Sequence, residues 1–408
     1  MNNGKICVSV CAETASEFLE KIERASKTAD VVELRFDCLN EREIEQVLNS
    51  NPAGKPEIFT FRPKEQGGKR NLSKQERKDF WNLRISFDWV DLEEDFEKKD
   101  FDWSQQRVIS SHHDFSGIAK NLEEIYNKLK ETKPDVIKIA VQTSDATDGL
   151  ALMKLLERAK AEKRELIPIA MGESGVWTRI LGLSRGAFMT FAALDDESAT
   201  APGQLTAQEM IEVYRVKELD EDAEIYGLVG NSVAHSVSPH IHNAAFKFHQ
   251  KNAVYVPFAV KNLEEFVRRM VKPETREIDW RLRGFAVTIP HKVEIMKHLD
   301  FVDETAKKIG AVNTVKIEGD KLSGYNTDAD GFIEPLKNSY GDLNNVRVAI
   351  FGAGGAARAC IFALQQAGAK VTVFARNAEK AKNLAEDFKV EIKELQIENR
   401  KSKISTLL

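Results

Sequence analysis

No stretch of this 408-residue sequence stays apolar long enough to cross a bilayer. No charged-then-apolar opening suggests a secretory leader either, because the chain runs almost at once into a strand-like Lys5-Ile6-Cys7-Val8-Ser9-Val10. Cysteine is scarce. Cys7, Cys11, Cys38 and Cys360 form no CxxC pair, and their spacing matches no zinc or disulfide framework. That usage suits a reducing cytoplasm, the expected location. An excess of one charge is also missing: 59 Lys and Arg stand against 64 Asp and Glu, for a net charge of -5. The chain therefore has no field to gather nucleic acid or an anionic membrane, and neither is an expected partner. Internal repeats and low-complexity tracts are absent. What remains is ordinary globular material, 42% apolar and 30% charged, in a length that suits two or three domains.

Eight short β-branched runs recur in the first half, at 6–10, 31–35, 57–61, 87–92, 107–111, 135–140, 166–171 and 188–193. Most are separated by stretches with helical periodicity, such as 16–27, 41–48, 121–130 and 150–160. This alternation predicts a (β/α)8 barrel, with an open doubly wound sheet as the alternative. Reactive side chains favour the barrel because they sit near strand ends, which in a barrel open onto one face. Glu33 and Arg35 end the second run and Arg62 follows the third. His113 and Asp114 follow the fifth, Lys138 lies in the sixth, Arg179 is placed in the loop after the seventh, and Gln204 in the loop after the eighth.

Lys138 lies in an apolar run, Val136-Ile137-Lys138-Ile139-Ala140. Burial would disfavour its charged form and leave an amine able to attack a ketone. A nearby histidine could then remove a proton beside the former carbonyl, and arginines could grip a carboxylate. The plainer alternative is a lysine that reaches a strand end or pairs with Glu33, and a loop histidine with no role.

Five motifs occur in order: Val32-Glu33-Leu34-Arg35-Phe36-Asp37, Phe59-Thr60-Phe61-Arg62-Pro63 with Gly67-Gly68, Ser111-His112-His113-Asp114-Phe115, Ile137-Lys138-Ile139-Ala140, and Ala201-Pro202-Gly203-Gln204. Together they resemble the type I 3-dehydroquinate dehydratases over about residues 4–216. The resemblance implies that Lys138 forms an imine with the C3 ketone of 3-dehydroquinate. It implies that His113 takes the C2 proton and later protonates the leaving hydroxyl, and that Arg179 holds the carboxylate. Ser9, Glu33, Arg35, Arg62, Thr200 and Gln204 are the implied substrate contacts. Two departures stand out. Gln66 occupies a place where the family often has Glu, with Glu65 one position earlier, and Thr200 replaces a common Ser.

The second half opens with Gly227-Leu228-Val229-Gly230-Asn231-Ser232-Val233-Ala234-His235-Ser236-Val237-Ser238-Pro239 after an acidic linker at 218–224. Val287-Thr288-Ile289-Pro290-His291-Lys292, Gly310-Ala311-Val312-Asn313-Thr314 and Gly324-Tyr325-Asn326-Thr327-Asp328 follow. A Lys and an Asp can serve proton transfer to an alcohol oxygen, or can be a surface salt bridge. These motifs resemble the substrate domain of the shikimate dehydrogenases over about 224–338. The resemblance implies that Ser236, Ser238, Thr288, Asn313 and Asp328 hold shikimate, with Lys292 and Asp328 as acid and base. His240 and His242 are two apart on a predicted helix, face different ways, and are not expected to bind metal.

Gly352-Ala353-Gly354-Gly355-Ala356-Ala357 follows a predicted strand and opens a predicted helix, the setting of a dinucleotide turn. Gly352, Gly354, Gly355 and Ala356 are its candidate contacts. Arg376, where an acid would favour NAD, suits the 2′-phosphate of NADP. Lys380 either supports it or, with Lys382, forms a solvated helix face.

The expected architecture is thus a (β/α)8 barrel at 1–217, an α/β substrate domain at 224–338 and a partial Rossmann-type domain at 339–408, with the polar segment 397–408 as a tail. The last quarter of the dehydrogenase is expected to be missing. The expected activity is dehydration followed by NADPH-dependent reduction. A dehydratase with an inactive or merely binding second half, a non-enzymatic binding or regulatory protein built from the same domains, and a different Schiff-base enzyme such as an aldolase are the alternatives. Homodimer formation is left open.

Overall fold

Eight strands hydrogen-bond in the order β7-β6-β5-β4-β3-β2-β1-β8, every pair parallel. They are β1 (Lys5–Val10), β2 (Val31–Arg35), β3 (Glu57–Thr60), β4 (Trp89–Glu93), β5 (Arg107–Asp114), β6 (Val136–Gln142), β7 (Glu165–Met171) and β8 (Met189–Ala192). Just before β8, the Phe188 N–H donates to Leu166 O at 3.0 Å, so the sheet curls back on itself as a barrel. This computed structural model describes residues 4–48, 54–83, 88–101, 106–118, 121–377 and 379–395. It forms two units, Met1–Arg283 and Gly284–Leu408, each taken by itself. Phe87, which the fourth run includes, and the expected tail at 397–408 lie outside the described residues.

Helices form where apolar residues recur every three or four positions. In Ala15–Ser26 the buried residues are Ala15, Phe18, Ile22 and Ala25, and the Thr14 side chain caps the Glu17 N–H. The barrel floor is apolar: Cys7, Val31, Ile58, Trp89, Ile109 and Val136 pack together. Two residues further along each strand come Ser9, Glu33, Thr60, Asp91, Ser111 and Lys138, all buried. Side chains alternate along a strand, so the same face that seals the floor carries a polar layer above it. Another step of two brings Arg35, Arg62, Glu93 and His113.

Several expectations are corrected. His113 and Asp114 do not follow the fifth strand but belong to it, because β6 runs to Gln142 and offers backbone partners as far as Asp114↔Val141. Arg179 is not in a loop. It sits on the helix Val176–Leu181, whose residues are all buried, so no polar face betrays its periodicity. The last helix before the acidic linker is Ala207–Glu212, and Arg215 turns the chain with a φ of 50°. Cys11 and Cys38 do form a disulfide. They lie just past the ends of neighbouring strands paired as Val10↔Leu34, a proximity that sequence spacing does not reveal.

The rest of the first unit pairs β9 (Glu224–Gly230) with β10 (Ala253–Ala259) in parallel, joined through the helix Ser238–Phe248. The units divide within β11 (Arg281–Val287). In the second unit, β12 (Phe301–Val302) runs parallel to β14 (Lys321–Tyr325), and β13 (Thr314–Glu318) pairs antiparallel with both β11 and β14. The strands β15 (Arg347–Phe351), β16 (Lys370–Ala375) and β17 (Glu391–Glu394) then form a parallel sheet. The sequence did not signal β17, because Glu-Ile-Lys-Glu is mostly polar and exposed.

Candidate active sites

One cavity at the C-terminal ends of the barrel strands is lined by Ser9, Glu33, Arg35, Arg62, His113, Lys138, Arg179, Thr200 and Gln204. All nine dehydratase positions picked from the sequence therefore meet. Lys138 is buried, but it is not alone among apolar groups. Its Nζ lies 2.8 Å from Asp91, 3.6 Å from Glu33 and 3.9 Å from the centre of the Phe191 ring. The pairing with Glu33 that stood as the plainer alternative is thus present, inside the cavity. Glu33 also accepts from the Ser9 hydroxyl and, at 2.9 Å, from Thr60. Burial opposes its ionisation, yet Lys138, Arg35 and Arg62 hold its carboxyl below the usual range.

Arg62 Nη1 stands 2.6 and 2.7 Å from the two ring nitrogens of His113. Burial, then the charges of Arg62 and Lys138, push the imidazole well below its ordinary range, so it is neutral at neutral pH. The His113 backbone N–H donates to Gln66 Oε1 at 2.9 Å, giving the Gln a place in the site. The paired glycines beside it are required by space: a Cβ on Gly68 would lie 1.9 Å from Arg62 O. Arg35 is gripped by Asp37 through two bonds of 2.8 Å. Gln204 accepts from the Thr200 N–H at 2.7 Å and closes its own loop.

Arg179 differs from the other arginines. It is buried, its Nη1 donates to Phe191 O at 3.2 Å, and its Nε and Nη2 have no partner among the described residues. Burial alone pulls its pKa down to about 10. A buried cation with free donors facing a cavity is costly without an anion.

The sequence reading missed Asp91. Its Oδ2 takes Lys138 at 2.8 Å and Arg62 at 2.7 Å. Despite burial, Arg62 and then Lys138 bring its carboxyl down to about 2. Counting by two from Trp89 would have placed it level with Lys138 and Glu33. Asp91→Asn should destabilise the fold by about 3–5 kcal/mol, as breaking a buried ion pair does, with urea unfolding as the measurement. Because the folded carboxyl sits lower than an unfolded one, that contribution is present above about pH 4 and is lost as pH falls toward 2.

In the second unit, Lys292 Nζ lies 2.5 Å from Asp328 Oδ2, and Asn313 Nδ2 donates to Asp328 Oδ1 at 2.7 Å. The Asn326 side chain steadies the start of this helix by accepting the Asp328 N–H at 3.0 Å. Thr288 O accepts the His291 N–H at 2.9 Å, closing the turn that leads to Lys292. Gly355, in the first turn of the helix Gly355–Gln366 with Ala356, packs so closely on Lys292 that an added Cβ would lie 2.8 Å from its Cβ. Gly352 and Arg376 line one open cleft, and a Cβ at Gly352 or Gly354 would meet nothing within 4 Å. The cleft therefore has room for a pyrophosphate at a helix N-terminus and a cation for an extra phosphate. The Lys380 side chain lies outside the described set. Ser236 and Ser238 belong to the first unit, where Ser236 Oγ accepts the Ser238 N–H at 3.2 Å. On that helix His242 stacks on Tyr255 at 4.3 Å.

Chemically, the barrel cavity suits amine catalysis on a ketone that carries a carboxylate. The type I 3-dehydroquinase family matches residues 6–221, more than half of the chain, and the chain belongs to that family. Residues 228–315 match the shikimate dehydrogenase substrate binding domain, and 334–407 match shikimate / quinate 5-dehydrogenase. The chloroplastic bifunctional 3-dehydroquinate dehydratase/shikimate dehydrogenase of Arabidopsis thaliana is 32% identical over 416 residues, covering 94% of this chain and 67% of its own length. The shikimate dehydrogenase (NADP(+)) of Caldanaerobacter subterraneus subsp. tengcongensis is 44% identical over 177 residues, covering 43% of this chain and 61% of its own. Among solved structures, the 3-dehydroquinate dehydratase of Geobacillus kaustophilus HTA426 is 26% identical, covering 53% of this chain and 91% of that one with a TM-score of 0.49.

Proposed function

We propose that residues 1–217 dehydrate 3-dehydroquinate to 3-dehydroshikimate, and that residues 224–338 and 339–408 form the substrate and NADP-binding parts of a dehydrogenase that reduces this product to shikimate. The observation that carries the first activity is the meeting of Lys138, His113 and Arg179, whose Nε and Nη2 have no partner among the described residues, in one cavity. Arg179 binds the substrate carboxylate and sets its orientation. The Lys138 amine, having passed its proton to a neighbouring base, attacks the ketone carbon. Loss of water leaves an iminium that draws electrons from the adjacent carbon. Neutral His113 takes the proton there, and the hydroxyl one carbon further leaves as water with that proton. Water then hydrolyses the imine and returns the lysine. Asp91 and Glu33 balance the positive charge that Lys138 carries as the resting ammonium and again as the iminium.

Borohydride reduction in the presence of 3-dehydroquinate, followed by peptide mass spectrometry, tests this. An adduct on the peptide containing Lys138 is expected, and trapping that yields none there would defeat the assignment.

For the second activity, Lys292 and Asp328 form the proton-transfer pair at the reacting oxygen. Ser236, Ser238, Thr288 and Asn313 bind the remaining hydroxyls and the carboxylate. Gly352, Gly354, Gly355, Ala356 and Arg376 hold NADP, which supplies or accepts the hydride when bound. Lys292→Ala should lower NADP-dependent shikimate oxidation by about 10²–10⁴-fold, the contribution of a positioned proton-transfer group. NADPH absorbance at saturating shikimate reads it, and a loss below threefold would remove Lys292 from that role. No helix of the described residues is long and apolar enough to cross a membrane. A cytoplasmic location rests on composition alone, and the Cys11–Cys38 disulfide argues against it.

A further inference from the structure

Within the first unit, Glu173 belongs to the barrel but its carboxylate serves the segment after β9. Its Oε1 accepts two successive backbone N–H groups, from Val233 at 2.7 Å and Ala234 at 2.8 Å. Val233 O in turn accepts the Ser236 N–H at 3.1 Å, and Ser236 Oγ accepts the Ser238 N–H at 3.2 Å. An unbroken chain of hydrogen bonds thus runs from a barrel carboxylate to both serines of the loop.

The barrel end of this chain is firmly seated. The Gly172 N–H donates to Pro202 O at 3.0 Å, and a Cβ on Gly203 would lie 2.3 Å from Gly172 O. Glu173 therefore has a fixed backbone from which to hold its partner loop. Loops move easily when little holds them, and a binding loop needs pre-ordering to bind well. Two charge-assisted bonds on adjacent amides supply that ordering.

We propose that Glu173 is a positioning residue of the dehydrogenase: it holds the turn at 233–236 so that Ser236 and Ser238 are ordered before shikimate arrives. The inference rests on the reading of the second half as a shikimate dehydrogenase. It means that the barrel acts as a scaffold for the substrate loop of the fused enzyme, so the two halves are joined by more than a linker.

Glu173→Ala and Glu173→Gln in the full chain test it by two readouts. The first is amide hydrogen exchange over 231–238, and the second is steady-state kinetics with shikimate and NADP+. Glu173→Ala should speed exchange in this segment about tenfold and raise the KM for shikimate about tenfold, the scale of a lost charge-assisted bond. It should shift kcat and the KM for NADP+ less than threefold. Glu173→Gln keeps an acceptor oxygen and should recover most of both changes. Unchanged exchange in Glu173→Ala overturns the proposal. So does faster exchange with an unchanged KM for shikimate, which would mean a merely structural bond. A failure of the underlying reading appears elsewhere, in the wild-type protein. If that protein neither oxidises nor binds shikimate by calorimetry, the dehydrogenase assignment falls and takes the inference with it.

Discussion

Lys138→Ala should abolish dehydration of 3-dehydroquinate and all borohydride trapping. The loss should exceed the ~10²–10⁴-fold attributable to proton transfer alone, because the imine that makes the adjacent proton removable can no longer form. Alanine also takes one of the two cations that Asp91 and Glu33 share out of a buried layer, leaving them Arg62 alone. The variant is therefore expected to lose stability as well, by about 3–5 kcal/mol. Lys138→Met also lacks the amine and its charge, but it removes any cavity from the comparison. It fills most of the volume of the lysine, whose Nζ lies over the Phe191 ring, so repacking contributes little while the amine is still gone. Both variants should show the same absence of turnover in a quenched assay for 3-dehydroshikimate, whatever their melting temperatures. Residual turnover in Lys138→Met within about a hundredfold of wild type would mean that chemistry proceeds without an imine, and His113 and Arg179 would then have to carry it by proton transfer and binding alone.

The barrel site was legible to the extent that its residues announce themselves by type. A lysine, a histidine and four arginines or acids at the ends of apolar runs stand out in sequence, and the nine positions read from those runs and motifs line one cavity. Asp91 did not stand out because it lies inside the fourth strand-like run rather than at its end, and only the pleat tells which residues face inward. Arg179 was found, but its setting was not: a helix buried on every side has no amphipathic signature. The Cys11–Cys38 bond illustrates a different limit. Its two partners are 27 residues apart and meet because β1 and β2 are neighbours, a fact of topology rather than of spacing.

In the second half, local patterning carried the glycine turn and the strand before it, while the ladder that adds β17 depends on a polar segment finding an exposed edge. The Lys292–Asp328 pair could equally have been an exposed salt bridge from sequence. Its contact with Asn313 and the close packing of Gly355 on Lys292 set it apart from one.

His113 carries the second large effect, and its pH dependence distinguishes its role from that of Lys138. His113→Ala should still form the imine, because the amine and its carboxylate partners remain. Trapping by borohydride should therefore persist while turnover falls by about 10²–10⁴-fold. In the wild-type enzyme the imidazole is held well below its ordinary range by burial and by Arg62 and Lys138. It acts as a base only when neutral, so kcat/KM should stay level as pH falls through 6.5 and decline only further into acid. Arg62 makes the second largest contribution to that depression and also touches both ring nitrogens. Arg62→Met removes the charge and should move the acid limb toward higher pH, closer to the ordinary histidine range. An acid limb already centred near 6.5 in the wild type, or one that Arg62→Met leaves in place, would show that some group other than His113 governs the proton transfer.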